Sequence, residues 1–298
     1  MASVEANGIT VEYEREGEGE PLLLVMGLGG QLSDWPQGFR DALTSRGFEV
    51  IRLDNRDAGL STEFTSPPPT TVDLAKAIVS RRFVDSEYLL ADMAAGAIGL
   101  LGALGIESAH VAGMSMGGMI SQTLAIEYPS QVRSLTSIMS TTGNRRVGQP
   151  KAGLLRKMAR REPPTVATAV DQSVEFFRMI SGPTFHEEDF RALAIESVER
   201  SFRPAGTARQ TAAIFASPDR TPGLRGLELP TLVIHGMVDP LVRPSGGIAT
   251  AKAVPDSRLL MFNDMGHDLP RPRWEEMAEA IRQNADRAAA PAAQVAAS

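Results

Sequence analysis

Apolar and polar positions change period several times along the chain. SVEA (3–6) and ITVEYE (9–14) alternate on either side of Asn7-Gly8, a dipeptide that favours a tight hairpin turn, so two antiparallel strands are predicted at the start. PLLLVMG (21–27) is a continuous apolar run, the pattern of a strand covered on both faces. Strand and helix patterns then alternate: FEVIRLD (48–54), a helix over Tyr88 to Leu104, AHVAG (109–113), and a helix over Met116 to Tyr128. RSLTSIM (133–139), PTLVIHG (230–236) and RLLMF (258–262) supply three more strands. Eight strands separated by helices predict an α/β fold with a mostly parallel sheet flanked on both faces.

The strand signal stops between residues 143 and 223. That span is helical in pattern and holds six of the 11 phenylalanines: Phe176, Phe177, Phe185, Phe190, Phe202 and Phe215. A helical insertion between two core strands is most simply a cap over the sheet's C-terminal edge, where α/β proteins bind ligands. The expected layout is core over 1–142, cap over 143–223, core again over 224–288, and a disordered low-complexity tail over 289–298. TSPPPTT (65–71) reads as a stiff surface loop.

The most informative local pattern is HVAGMSMGGMI (110–120), where an apolar run ends in Gly113 and a helical pattern begins at Met116. Gly113, Ser115 and Gly117 spell G-x-S-x-G, the sharp strand-to-helix turn that presents a serine hydroxyl to a cleft. A lone hydroxyl is a poor nucleophile and needs a histidine base held by an acid. Of four histidines, His110 lies on a core strand, His186 in the insertion, and His235 at a strand end where packing or a hydrogen bond explains it. His267, in NDMGHDLP after the last strand, stands where the order serine, acid, histidine needs the base. The acid belongs after the preceding strand, where Asp239 is followed by a proline that enforces a turn. Asp264 and Asp268 are read as loop carboxylates, too near His267 in sequence to reach its Nδ1.

A developing oxyanion needs two donors. The N–H of Met116, at the start of the helix, is one. The other is assigned to Leu28 in VMGLGGQLSDW, where Gly27 permits a tight turn. GLGGQLS partly resembles a dinucleotide-binding loop but lacks the third glycine at the required spacing and a following acidic residue. Trp35 either lines the substrate pocket or packs under the cap. Gly27, Trp35, Phe176 and Phe177 are the substrate-binding candidates, although the insertion's phenylalanines also suit its own core.

With 298 residues and 43% hydrophobic content, one large core with an insertion is expected. A net charge of −6 argues against nucleic-acid or anionic-membrane partners. There is no cysteine, which removes disulfide and thiolate chemistry. No metal-ligand spacing is present, so no metal and no cofactor is expected. Without a leader pattern at the N-terminus, the expected location is the cytoplasm, with a small-molecule ester as partner and a homodimer left open.

PLLLVMG, LDNRDAGLST, HVAGMSMGG, LVIHGMVDPLV and MGHDLP occur in this order, and together the chain resembles the α/β-hydrolase family over most of its length. GGQLSDWP followed by GFEVIRLDNRDAGLST is similar to the aclacinomycin methylesterase group and less closely to enol-lactonases. The resemblance implies a carboxylic ester hydrolase acting on an ester or lactone. It departs from many relatives at Met26, where a histidine is common, and at Asp57, where glycine is frequent. Asp54, Arg56 and Ser61 read as turn-stabilising residues. A carbon–carbon bond hydrolase or cofactor-free perhydrolase would keep the same triad, and a ligand-binding receptor on this fold is the alternative of a different class.

Overall fold

The computed structural model describes residues 2–70, 72–73, 76, 84–158 and 160–289. Thr71, at the end of the proline-rich loop, and the tail from 290 onward lie outside the described residues. Eight strands form one sheet: β1 (Ala2–Ala6), β2 (Ile9–Glu16), β3 (Glu20–Val25), β4 (Phe48–Leu53), β5 (Ala109–Met114), β6 (Val132–Ile138), β7 (Thr231–Gly236) and β8 (Arg258–Phe262). Their spatial order is β1-β2-β4-β3-β5-β6-β7-β8. The pairs β1–β2 and β2–β4 are antiparallel, and the other five are parallel. The hairpin turns at Asn7 and Gly8, both at positive φ (52° and 76°), as its sequence requires.

Strand alternation sorts side chains into two cores. Leu23 and Val25 of β3, Ile51 and Leu53 of β4, and Ala109 and Val111 of β5 share one face. That face is covered by α2 (Leu90–Ala103) and α3 (Met116–Glu127), through Leu100, Leu101, Ile120 and Leu124. Leu22, Leu24, Phe48, Val50, Ala112 and Met114 face the other way. They meet Phe39 and Leu43 of α1 (Gln37–Thr44) and Met277 and Ile281 of α10 (Trp274–Ala289). RLLMF forms a strand but at the sheet's edge, where Leu259 is 41% exposed, so its apolar run is only partly covered. Tyr88 stands outside α2, because its hydroxyl donates to Asp57 and the helix begins two residues later.

Between β6 and β7 the chain runs through α4 (Ala152–Met158), α5 (Val166–Ile180), α6 (Glu187–Arg200), α7 (Pro204–Ala216) and the short α8 (Thr221–Leu224). α9 (Ser245–Ala253) follows β7.

One buried group on the sheet's N-terminal side gives a pH-dependent stability. His110 on β5 bonds Ser134 Oγ through Nδ1 at 2.8 Å, and its Nε2 lies 3.7 Å from Glu20 Oε1. Burial, reinforced by the charge of Arg133, pushes its pKa from 6.5 down to about 4. The fold therefore prefers the neutral ring: this contribution is complete above about pH 6.5 and is lost as pH falls towards 4. Between pH 7.5 and 5 the wild type is expected to lose about 2 kcal/mol more unfolding free energy than His110→Gln in urea titrations. Equal losses in the two proteins would show that His110 is not the titrating group.

Candidate active site

Ser115 joins β5 to α3 at φ 56° and ψ −118°, a strained conformation for a residue with a side chain. The turn is held in place by Ser115 N–H donating to Ile138 C=O (2.8 Å) and by Ser140 Oγ donating to Ser115 C=O (2.8 Å). The flanking glycines are dictated by contact. A Cβ on Gly117 would lie 1.9 Å from Val25 C=O, and one on Gly113 would lie 2.1 Å from Gly117 C=O. Only bare backbone lets α3 start this close to β3 and β5.

The loops after β7 and β8 bring two further side chains to the serine. His267 Nε2 lies 2.9 Å from Ser115 Oγ, and His267 Nδ1 lies 2.7 Å from Asp239 Oδ2. Asp239 is fully buried, and its other oxygen accepts the N–H groups of Leu241 (2.8 Å) and Val242 (2.9 Å). These bonds fix which carboxylate oxygen faces the imidazole. His235 Nε2 donates to Val242 C=O at 2.8 Å and braces the same turn, in keeping with a packed, hydrogen-bonded role. Burial holds His235 below the ordinary histidine range. His186 is on the surface as the N-cap of α6.

Asp264 and Asp268 do not reach His267 Nδ1. Asp264 pairs with Arg273 at 2.9 Å. Asp268 Oδ1 accepts from Gly182 N–H (3.1 Å) and Gly266 N–H (3.0 Å), while its burial raises its pKa. His267 N–H donates to Ile180 C=O at 2.7 Å. The end of α5 thus fastens the histidine loop, an anchor with no local signature in the sequence.

The loop after β3 lies beside the serine. A Cβ on Gly27 would stand 3.2 Å from Ser115 Cβ, a tight contact that glycine avoids. Gly30 N–H donates to Gly27 C=O at 3.1 Å. In a trans peptide the N–H of Leu28 must then point the opposite way. Asn55 Nδ2 holds Met26 C=O at 3.2 Å, a buried contact that sequence reading missed. Neither Leu28 N–H nor Met116 N–H donates to a group among the described residues.

A family model for the alpha/beta hydrolase fold matches residues 20–270, which span the sheet from β3 to β8 and the loops just described. The chain belongs to the alpha/beta hydrolase family. Among curated relatives it is 28% identical to a rhodomycin D methylesterase from Streptomyces sp. (strain C5), over 89% of this chain and 92% of that protein. It is also 28% identical to a 2-hydroxymuconate semialdehyde hydrolase from Pseudomonas putida, over 93% of this chain and 89% of the relative. The enol-lactonase from Burkholderia xenovorans LB400 shares the fold at a TM-score of 0.71 and 22% identity, covering 95% of this chain and 99% of that one.

In this alpha/beta hydrolase the helical insertion is seated on the core by buried polar groups. Arg209 of α7 grips Asp57 through two bonds (2.9 and 2.7 Å), and Tyr88 Oη donates to the same carboxylate at 2.7 Å. Burial disfavours the Asp57 charge, yet these bonds and one from Phe64 N–H outweigh it and hold its pKa below the usual range. Asp57 adopts φ 67°, a left-handed conformation that glycine takes without strain. Asp54 stabilises its turn as expected, accepting from Leu32 N–H (2.7 Å) and Leu60 N–H (2.8 Å). It also pairs with Arg200 of α6 at 2.7 Å, which makes it a docking residue. Arg56 lies over the rings of Phe64 and Tyr88, and Ser61 Oγ donates to Asp54 C=O.

The aromatic candidates pack against other rings. Trp35 has no exposed surface and stacks on Phe39 (5.9 Å between centroids) in the core under β3 and β4. Phe177 stacks on Phe190 at 4.1 Å, Phe176 meets Phe177 edge-on, and Phe185 lies 5.7 Å from Phe190. These rings hold α5 to α6. Phe177→Ala is expected to destabilise the protein by about 2 kcal/mol, since half-buried rings return less than fully buried ones. An unchanged Tm would show that the cluster contributes little.

Proposed function

We propose that the protein is a serine hydrolase of carboxylic esters in which Ser115, His267 and Asp239 form the catalytic triad. The observation that carries this reading is the unbroken chain of two short contacts, 2.9 Å and 2.7 Å, from a strained serine through imidazole to a buried carboxylate. Ser115 Oγ attacks the acyl carbon as its proton passes to His267 Nε2. The N–H groups of Leu28 and Met116 receive the oxyanion, and the imidazolium returns its proton to the leaving alcohol. Water, activated by the same imidazole, then releases the acid from the acyl-enzyme.

The methylesterase relative supports an ester as substrate. The surface near the site supports an apolar one: Leu28, Leu60, Met237 and Val238 are exposed in loops after β3, β4 and β7, at the end of the sheet that carries the triad. We read the insertion over 143–223 as a cap above this edge.

A panel of p-nitrophenyl esters of increasing acyl length, run beside methyl esters of polycyclic aromatic acids, tests the assignment. Turnover that favours uncharged, bulky esters over those with a carboxylate near the scissile bond is the expected result. The semialdehyde hydrolase relative favours carbon–carbon bond hydrolysis as a second reading. Cleavage of a vinylogous diketone with no ester turnover would select it.

A further inference from the structure

One buried side chain of the insertion reaches the loop that carries Leu28. Gln210, on α7, has no exposed surface. Its Oε1 accepts the N–H of Gly29 at 2.8 Å, and its Nε2 donates to the C=O of Arg56 at 2.8 Å. A primary amide supplies acceptor and donor together, so one side chain satisfies two buried backbone groups from two core loops. Gly29 has φ +69°, and a Cβ there would lie 2.8 Å from Thr207 Oγ1, also on α7. The loop therefore rests directly on this helix.

The consequence concerns aim. Leu28 N–H belongs to the peptide joining residues 27 and 28, whose carbonyl is held by Gly30 N–H at 3.1 Å. The next peptide, joining residues 28 and 29, is held at its N–H by Gln210. Two successive peptide planes are thus fixed, one from within the loop and one from the insertion. Released from Gln210, the second plane can rotate and shift Gly30, whose N–H is what holds the carbonyl of the Leu28 peptide, so the direction of the Leu28 N–H is no longer fixed.

We propose that Gln210 is a positioning residue that ties the oxyanion loop to the helical insertion, so that the Leu28 donor is aligned only while the Gln210 side chain holds the N–H of Gly29. This rests on the reading of Leu28 N–H as an oxyanion donor. Loss of a whole donor of this kind costs about 10²–10³-fold in kcat, so a misaimed one is expected to cost about 10–100-fold.

The test compares Gln210→Leu, Gln210→Met and Gln210→Glu with Asp57→Asn, which weakens the neighbouring Arg209 anchor and leaves both Gln210 bonds in place. Each is assayed for Tm, for kcat and KM on an activated ester, and for inhibition by a trifluoromethyl ketone. The ketone carbon bonds to Ser115 Oγ, the serine proton passes to His267, and the resulting oxyanion occupies the donor site. The Leu and Met variants are expected to lose about 10–100-fold in kcat with KM within about threefold, and to lose ketone affinity by the same factor. Gln210→Glu keeps an acceptor for Gly29 N–H and is expected to lose less. Asp57→Asn is expected to lower Tm with kcat within about threefold of wild type.

Gln210 variants that lose Tm but keep kcat and ketone affinity would overturn the inference, as would an equal kcat loss in Asp57→Asn. If the Gln210 variants lose nothing while Ser115→Ala is inactive, the triad reading stands and this inference alone fails. If Ser115→Ala keeps its activity, both fall.

Discussion

Ser115→Ala is expected to reduce ester turnover on the order of 10⁶-fold, the scale reached when the nucleophile of a serine triad is removed. The change deletes the attacking atom and leaves the elbow's backbone bonds from Ile138 and Ser140 in place. Folding should therefore be preserved, and a fluorophosphonate probe that labels wild type at Ser115 should leave the variant unlabelled. The backbone supplies a second readout. Alanine at φ 56° keeps the strain, whereas glycine relieves it. Ser115→Gly should be equally inactive yet more stable than Ser115→Ala by about 1 kcal/mol in denaturant titrations. Residual activity above a small fraction in either purified variant would remove Ser115 from the mechanism.

Asp239→Asn is expected to lower kcat about 10⁴-fold, the size of this carboxylate-to-amide change in serine proteases. The structure states why the amide cannot choose a benign orientation. Oδ1 of Asp239 accepts two backbone N–H groups, from Leu241 and Val242, so the carbonyl of an asparagine must stay there. Its NH2 group then takes the place of Oδ2, 2.7 Å from His267 Nδ1, and donates to it. The ring proton is forced onto Nε2, which can no longer accept the proton of Ser115. Imidazole nitrogen NMR shifts should report the reversed tautomer directly. Asp264→Asn, at a surface pair with Arg273, should lose far less activity. A greater loss there than at Asp239 would move the orienting role.

The sheet and the grouping of Ser115, His267 and Asp239 were legible because their signals are local. Each core strand is a short apolar run, the elbow is five residues long, and chain order leaves one histidine and one aspartate at the right loops. Burial of β8 was less legible, since RLLMF reads like a covered strand and only topology puts it at an edge. Tyr88 was assigned to a helix from its pattern, while a hydrogen bond to a residue 31 positions away holds it outside. The docking residues were invisible for the same reason: Gln210 and Arg209 look like ordinary polar positions of a helix, and their partners Arg56 and Asp57 lie 154 and 152 residues back. Sequence spacing carries no record of a contact made across such a distance. Trp35 was undecided because an indole beside a glycine loop suits a pocket and a core equally, and its stacking on Phe39 is a tertiary fact.

The insertion holds both sides of the candidate site, through Gln210 at the Gly29 loop and through Ile180 and Gly182 at the histidine loop. This bears on how such a scaffold can be recombined. Exchanging residues 143–223 for the matching segment of a relative would strip support from two loops of the recipient. A chimera designed without regard to these contacts should therefore fold and yet, on the proposed function, turn over slowly. One that carries over the glutamine and the backbone turn after α5 keeps those supports. In this chain the boundary between exchangeable and fixed parts runs through the insertion itself, between its outer helical faces and its inner contacts with the core.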